Sequence, residues 1–404
     1  MTDRAGRIEV GVRRVAELES DGSLPASHPR LMALIRDEIG RDGRMTFARF
    51  MEIALYDPEA GYYAAASDGG AADRGPGRTG DFLTAPEGHP IFGWTIARQL
   101  EDVWQRIDRP ARFVVREHGA GSGALAFGIL DGLRRSGSPL LEAIRYQAIE
   151  VSGARLDALR ARLGATGLSA SLEPADDDPT AGAIIANELL DALPVHRVEG
   201  ADGGLLERYV TLDAEGDLAT ELGEPSTPAL AARLGAESIR LEPGQPAEIC
   251  LALDDWLATA VAPLETGLVL LIDYGAPAAE LYFPSRGSTL RAYHRHRVHD
   301  DPFVAIGRQD LTAHVDLTAV ERAAAAAGLA PLGRTTQAEL LAGLGIGELL
   351  VDLQTHPDTT LESYLAAKSA VVRMLDPRAT GRFAILAFGR GVSPDPSLRG
   401  LQKA

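Results

Sequence analysis

Apolar positions recur along this chain with two different periods, and the alternation between them predicts the order of its elements. From 29 to 55 the spacing is helical: Leu31, Leu34, Ile35 and Ile39, then Phe47, Phe50, Met51 and Leu55. Asp57-Pro58 and Gly61 end that stretch, and helix is predicted again over 90–107. Beyond it, short unbroken apolar runs alternate with helical segments. Strands are predicted at 112–117, 145–150, 168–172, 183–186 and 268–273, near Leu332, and at 382–388. Helices are predicted at 124–135, 153–163, 251–262, 317–327 and 361–374, with a helical turn at 187–192. From 195 to about 248 the pattern switches to two-residue alternation around Asp202-Gly-Gly and Glu215-Gly, which predicts an inserted β-rich segment. Strands alternating with helices imply an α/β, Rossmann-like fold: a mostly parallel sheet with helices on both faces. Such sheets take their ligands at the carboxyl ends of the strands.

The remaining boundaries follow from polarity. Residues 1–27 form a polar lead and 394–404 a tail, flanking a helical N-terminal region at 28–108 and a main domain at 109–393. Within the N-terminal region, 64–90 is expected to act as a lid, its 67–79 stretch rich in Gly, Ala and Asp. Net charge is −17, which disfavours a general nucleic-acid binder. No apolar stretch is long enough to span a membrane. One cysteine, Cys250, allows no intrachain disulfide and no multi-thiolate metal site, and a cytoplasmic location is expected.

The strand ends carry the candidate chemistry. The first strand runs into Glu117-His-Gly119-Ala-Gly121-Ser-Gly123. Glycines there let a ligand approach the backbone and allow positive φ. Gly119-x-Gly121-x-x-Ala124 also satisfies a loose dinucleotide fingerprint. Two acids argue instead for S-adenosyl-L-methionine (AdoMet). Glu117 precedes the first glycine, where a pyrophosphate would be repelled but a sulfonium or ammonium would not. Glu150, suited to ribose hydroxyls, ends the next strand 31 residues after Gly119, farther than the roughly 20 of a dinucleotide unit. The fourth strand ends in Asn187-Glu188, followed by Asp191, and the fifth in Asp273. Asn187 and Glu188 could orient a nucleophile beside the methyl donor, or Asn187 could simply cap a helix. Asp273 could equally cap the next element. His294, His296 and His299 lack a helical ligand spacing, so 291–301 reads as a solvated or substrate-binding loop, and no metal is expected.

Taken in order, seven segments resemble one family. They are Thr46 to Tyr63, Gly80 to Glu87, Glu117 to Gly123, Ala186 to Val195, Ile272-Asp-Tyr-Gly275, Leu290 to Arg297 and Asp310 to Asp316. The chain is similar to the mitochondrial complex I assembly-factor methyltransferases and their bacterial MidA-type relatives. That resemblance implies a class I AdoMet-dependent methyltransferase fold with an N-terminal helical extension and an inserted β-rich segment. It implies protein arginine methylation, which eukaryotic members perform on a subunit of respiratory complex I. It places the cofactor at Glu117, Gly119, Gly121, Gly123, Glu150 and Asn187, with Ser122 and Val151 beside them. Glu188, Asp191 and Glu87 are the catalytic candidates. Asp81, Thr84, Pro86, Arg295, His296 and His314 are candidates for the substrate side or lid. A protein substrate is expected, with no nucleic acid or membrane partner; a homodimer is open. Small-molecule O- or N-methylation, a non-catalytic scaffold and, more distantly, an NAD-dependent enzyme are the alternative readings. His118 departs from the family's usual Leu, and Gly88-His89-Pro90 departs beside the expected lid.

Overall fold

A computed structural model describes residues 24–63, 84–295 and 297–402. The expected lid loop at 67–79, Asp81 and His296 lie outside the described residues. A seven-stranded sheet organises the main domain: Phe113–His118 (β1), Ile144–Ile149 (β2), Leu172–Glu173 (β3), Thr180–Asn187 (β4), Leu264–Asp273 (β5), Ala330–Thr336 (β6) and Ala384–Arg390 (β7). Their order across the sheet is β6-β7-β5-β4-β1-β2-β3. Every pair from β5 to β3 is parallel, and β7 runs antiparallel to both of its neighbours. Because helices cover both faces, β4 and β5 carry long apolar runs, whereas β1 and β2 interrupt theirs with Arg116, Glu117, Arg145 and Gln147. Their side chains still divide by face: Ala183, Ile185, Leu268 and Leu270 enter one core, Ile184, Ala186, Val269 and Leu271 the other.

Helices Ile91–Arg106 and Ala124–Ser136 cover the first face. They meet at glycines: a Cβ on Gly93 would sit 2.6 Å from the Gly128 backbone. That contact fixes the helix leading away from the glycine turn against its neighbour. Ala252–Val261 and Leu317–Ala326 pack on the other face, the second capped by Asp316, which accepts from the Thr318 and Ala319 amides.

The N-terminal periodicity does not make one helix. Gly43, at φ 84°, ends Pro29–Asp42; Met45–Thr46 then pairs with Tyr209–Val210; and Thr46 caps a second helix, Phe47–Tyr56. These two helices share a core with the insertion and with Leu290, Ala292 and Leu311, whereas Ile91–Arg106 joins the main sheet. The insertion contains the strands His196–Ala201, Gly204–Leu212 and Leu218–Gly223, and also a helix, Ala229–Ala236, that the alternation did not announce.

Two other expectations are corrected, and one unassigned stretch is filled. Residues 291–301 are not a loop: Arg291–His294 pairs antiparallel with Arg297–His299 and with Asp310–Thr312, because burying Leu290 and Ala292 requires an extended chain. The strand expected at 168–172 is a 3-10 turn, Ser169–Ser171, followed by the two residues of β3. Helices Gln337–Gly343 and Ile346–Thr355 fill a stretch that carried no assignment. Among the described residues no helix is long and apolar enough to cross a membrane.

Candidate active site

The parallel strands deliver their carboxyl ends to one cavity of about 260 Å³. β1 ends there in the glycine turn, whose three glycines all have positive φ: 71° at Gly119, 53° at Gly121 and 78° at Gly123. Their surroundings differ. A Cβ at Gly119 would strike Leu189 and one at Gly123 would strike Leu159, whereas one at Gly121 would enter open space. Gly121 is therefore where the turn presents bare backbone to the cavity. Its N–H donates to Glu150 Oε2 at 2.8 Å, and the other Glu150 oxygen accepts from the Ser152 amide at 3.0 Å.

Four carboxyl side chains line this cavity: Glu87, Glu117, Glu150 and Glu188. Glu117 is 4% exposed and accepts from the Tyr146 hydroxyl at 2.6 Å. Burial outweighs that hydrogen bond and pushes its carboxyl up to about 8. Glu188 sits just past β4 at φ 51°, a conformation that non-glycine residues seldom adopt. Its amide donates to Ile272 O at 2.8 Å. Its carboxyl accepts from Asn187 Nδ2 at 3.2 Å and from the Ala85 amide. Burial, then repulsion from Asp191, push it up to about 8. Glu87 accepts from the Ser122 hydroxyl and lies 3.8 Å from Arg162. The turn at 84–88 thus grips both the glycine turn and Glu188.

Asn187 lines the cavity, and its Oδ1 is buried with no hydrogen-bond partner among the described residues. It caps nothing. That task falls to Asp273, whose Oδ2 accepts from the Leu189, Leu190 and Asp191 amides at 2.8 to 3.3 Å. Asp273 therefore caps a turn more than eighty residues before it in the chain, rather than the next element. The surrounding burial drives its carboxyl well above the usual range.

Among the other candidates, Thr84, Pro86 and Val151 line the cavity, while Ser122 touches it through Glu87. Asp191, Arg295 and His314 do not line it. The 3-10 turn Leu190–Ala192 buries Asp191 against Tyr274, and burial pushes its carboxyl up to about 6. His314 stacks edge-on to Tyr274 and pairs with Arg286; burial, then Arg286, lower it to about 4. Sequence reasoning missed Tyr56, Tyr63, His118, Arg155 and Trp256 in the wall. The two tyrosines stand in the Thr46 to Tyr63 segment that carried part of the resemblance, and His118 within the glycine motif. Arg155 and Trp256 had no local signal. Burial lowers His118 to about 4 and its ring stands edge-on to Trp256, so it contributes a neutral wall.

A glycine turn with open backbone at Gly121 and several acids around it fit AdoMet, a cation with ribose hydroxyls. A family profile described as "Putative S-adenosyl-L-methionine-dependent methyltransferase" matches residues 95–335. The chain belongs to this family. Over nearly its whole length this methyltransferase is also similar to a Burkholderia thailandensis protein solved with S-adenosyl-homocysteine bound, at 34% identity and a TM-score of 0.80, covering 94% of this chain and 97% of that one. It is 28% identical to the Drosophila melanogaster mitochondrial protein arginine methyltransferase NDUFAF7 homologue, over 93% of this chain and 88% of the relative. The human protein arginine methyltransferase NDUFAF7, mitochondrial, is 28% identical over 84% of this chain and 79% of its own. AdoMet is the cofactor of this methyltransferase, and the dinucleotide and scaffold readings are set aside. The cytoplasmic expectation is overturned, since these fly, rat and human relatives are mitochondrial by name. A single cysteine limits disulfides and carries no cellular address.

Proposed function

We propose that this methyltransferase places its methyl group on a guanidinium nitrogen of an arginine side chain in a protein. Relatives named protein arginine methyltransferases support the reading. One observation in the cavity carries it: at the end of β4 an amide oxygen without a donor among the described residues and a half-buried carboxyl group stand side by side. A guanidinium offers planar N–H donors in a fixed fork, and adjacent acceptors are what it requires.

AdoMet, when bound, supplies an electrophilic methyl on a sulfonium. Gly121, Glu150 and Glu117 would hold it, with Ser122 and Val151 alongside: bare backbone at the turn, Glu150 toward ribose hydroxyls, Glu117 toward the cationic methionine end. Glu188 and Asn187 receive the acceptor. A guanidinium is a poor nucleophile because its charge is delocalised and its pKa exceeds about 12. Glu188 counters this by drawing the charge toward one nitrogen and fixing the plane of the group. Strain at Glu188 and its Ala85 contact hold that carboxyl in place before the acceptor arrives. Rate then comes from positioning and electrostatics, without a covalent enzyme intermediate. Glu87 steadies the glycine turn through Ser122, and Asp191 acts from behind, through Tyr274.

The test is incubation with methyl-labelled AdoMet and cell extract, followed by hydrolysis of the labelled protein. Methylarginine is the expected product. Label confined to small molecules would transfer the reading to an O- or N-methyltransferase of metabolites; label on other protein residues would also sink it.

A further inference from the structure

Tyr56 and Tyr63 lie outside the 95–335 stretch matched by the family profile, yet they line the same cavity as Gly121 and Glu188. Their rings are stacked, with centroids 5.7 Å apart and planes 23° from parallel. Both hydroxyls already have acceptors within the protein. Tyr56 donates to Ala192 O at 2.9 Å, and Tyr63 donates to Asp310 Oδ1 at 2.7 Å. The phenols are therefore locked in orientation, and burial keeps both neutral by raising their pKa well above the ordinary value. What such a pair has left to offer a ligand is ring surface.

A ring face attracts a cation, and a flat guanidinium better than a round ammonium. One guanidinium is already in place. The Arg155 guanidinium carbon lies 5.5 Å from the Tyr63 ring centroid, and among the described residues Arg155 makes no hydrogen bond or ion pair. Glu150 and Glu188 line the same cavity. An arginine that stands over an aromatic face, in a cavity lined by acids and without a partner of its own, occupies the place that an incoming arginine would take.

We propose that the Tyr56–Tyr63 pair is the acceptor subsite that recognises the substrate guanidinium, and that Arg155 is its resident occupant, displaced when the substrate side chain enters. This rests on the arginine reading above and adds the face that selects the side chain. Two guanidinium groups cannot share one ring face among these acids without repulsion, so Arg155 competes with the acceptor.

The experiment titrates N-acetyl-arginine amide into the full chain saturated with S-adenosyl-homocysteine, reading the NMR signals of the probe. AdoMet affinity is measured by calorimetry on the same proteins: wild type, Tyr63→Leu, Tyr63→Phe and Arg155→Ala. Tyr63→Leu should weaken arginine binding roughly 5-fold or more, and Tyr63→Phe, which keeps the face, by no more than about 2-fold. Arg155→Ala should tighten it, and AdoMet affinity should stay within about 2-fold in all three. No saturable arginine binding by the wild type overturns the subsite, as does indifference to Tyr63→Leu. Equal loss of AdoMet affinity in Tyr63→Leu overturns it too, by assigning the ring to the cofactor. Should Tyr63→Leu not fold, Arg155→Ala decides, because weaker or unchanged arginine binding in that variant contradicts the competition. Arginine binding without arginine methylation would sink the functional reading and leave the subsite standing; arginine methylation indifferent to Tyr63 would do the reverse.

Discussion

The two halves of the cavity are built by different means. The half on the glycine turn is local: Glu117, the three glycines and Glu150 come from the ends of two adjacent parallel strands and the turn that follows the first. The other half is assembled at long range. Tyr56 and Tyr63 come from the N-terminal segment, Glu87 from the turn at 84–88, Glu188 from the end of β4, and Trp256 from the helix after the insertion. The second is held by contacts between distant segments, which leaves its shape free to follow the acceptor.

The largest expected effect tests whether the local half stands alone. Gly121→Leu should abolish AdoMet binding, by about 100-fold or more, because the side chain enters the space where backbone faces the ligand. Its positive φ adds strain of roughly 1–2 kcal/mol, so circular dichroism should still show a folded protein. Calorimetry retaining AdoMet affinity in this variant would place the cofactor elsewhere.

Next comes the boundary between the halves. Glu188→Gln should lower kcat about 100-fold and leave the AdoMet Kd within about 3-fold, since the lost charge faces the acceptor. A comparable loss of AdoMet affinity would assign Glu188 to the cofactor half.

A pH series sharpens the comparison further. Glu117 and Glu188 are held at about 8 in the folded, ligand-free chain, against about 4.3 for an unfolded glutamate. The folded state therefore binds more protons across that window, and stability falls as pH rises from about 4.5 to about 8. A cation in the cavity favours the ionised forms. The thermal midpoint of the free protein should drop across this range, while the increment added by AdoMet grows. S-adenosyl-homocysteine, which lacks the sulfonium, should show less of that growth. A flat AdoMet increment would remove the two acids from the cation's surroundings.

The smallest effect isolates one hydrogen bond. Tyr146→Phe deletes the hydroxyl that donates to Glu117, favouring its protonated form still more. AdoMet binding at pH 7 should weaken several-fold, in line with about 1 kcal/mol for one such bond, and recover above pH 8. Weakening that persists unchanged at high pH would point to packing instead.

The division also marks what was readable in advance. β4, β5 and β7 were legible as long apolar runs, β1 and β2 as shorter apolar stretches running into Glu117 and Glu150, and the rule that ligands gather at strand ends drew attention to those acids and to Asn187-Glu188. The helix Gln337–Gly343 had a readable signal that was overlooked: Thr336 and Glu339 form a capping box. Residues 291–301 misled because their charged side chains describe the outer side of a hairpin, while Leu290 and Ala292, on the inner side, are too few to show a period. Asp191 looked like a third acid of the site, and a single 3-10 turn directs it to Tyr274 instead. Arg155 and Trp256 could not be found from neighbours in sequence, because the segments that complete their surroundings are distant in the chain. The same is true of the Tyr63 contact with Asp310, 247 positions away.

The shared core of the N-terminal helices and the insertion has a consequence in time. Phe47, Phe50 and Met51 leave the ribosome early, but their partners Val195, Val210, Leu290 and Leu311 follow much later. At ordinary synthesis rates that delay is on the order of tens of seconds. For that interval an amphipathic helix pair waits with its apolar side unpaired, and the tyrosine side of the cavity cannot be completed until well after the glycine turn has been made.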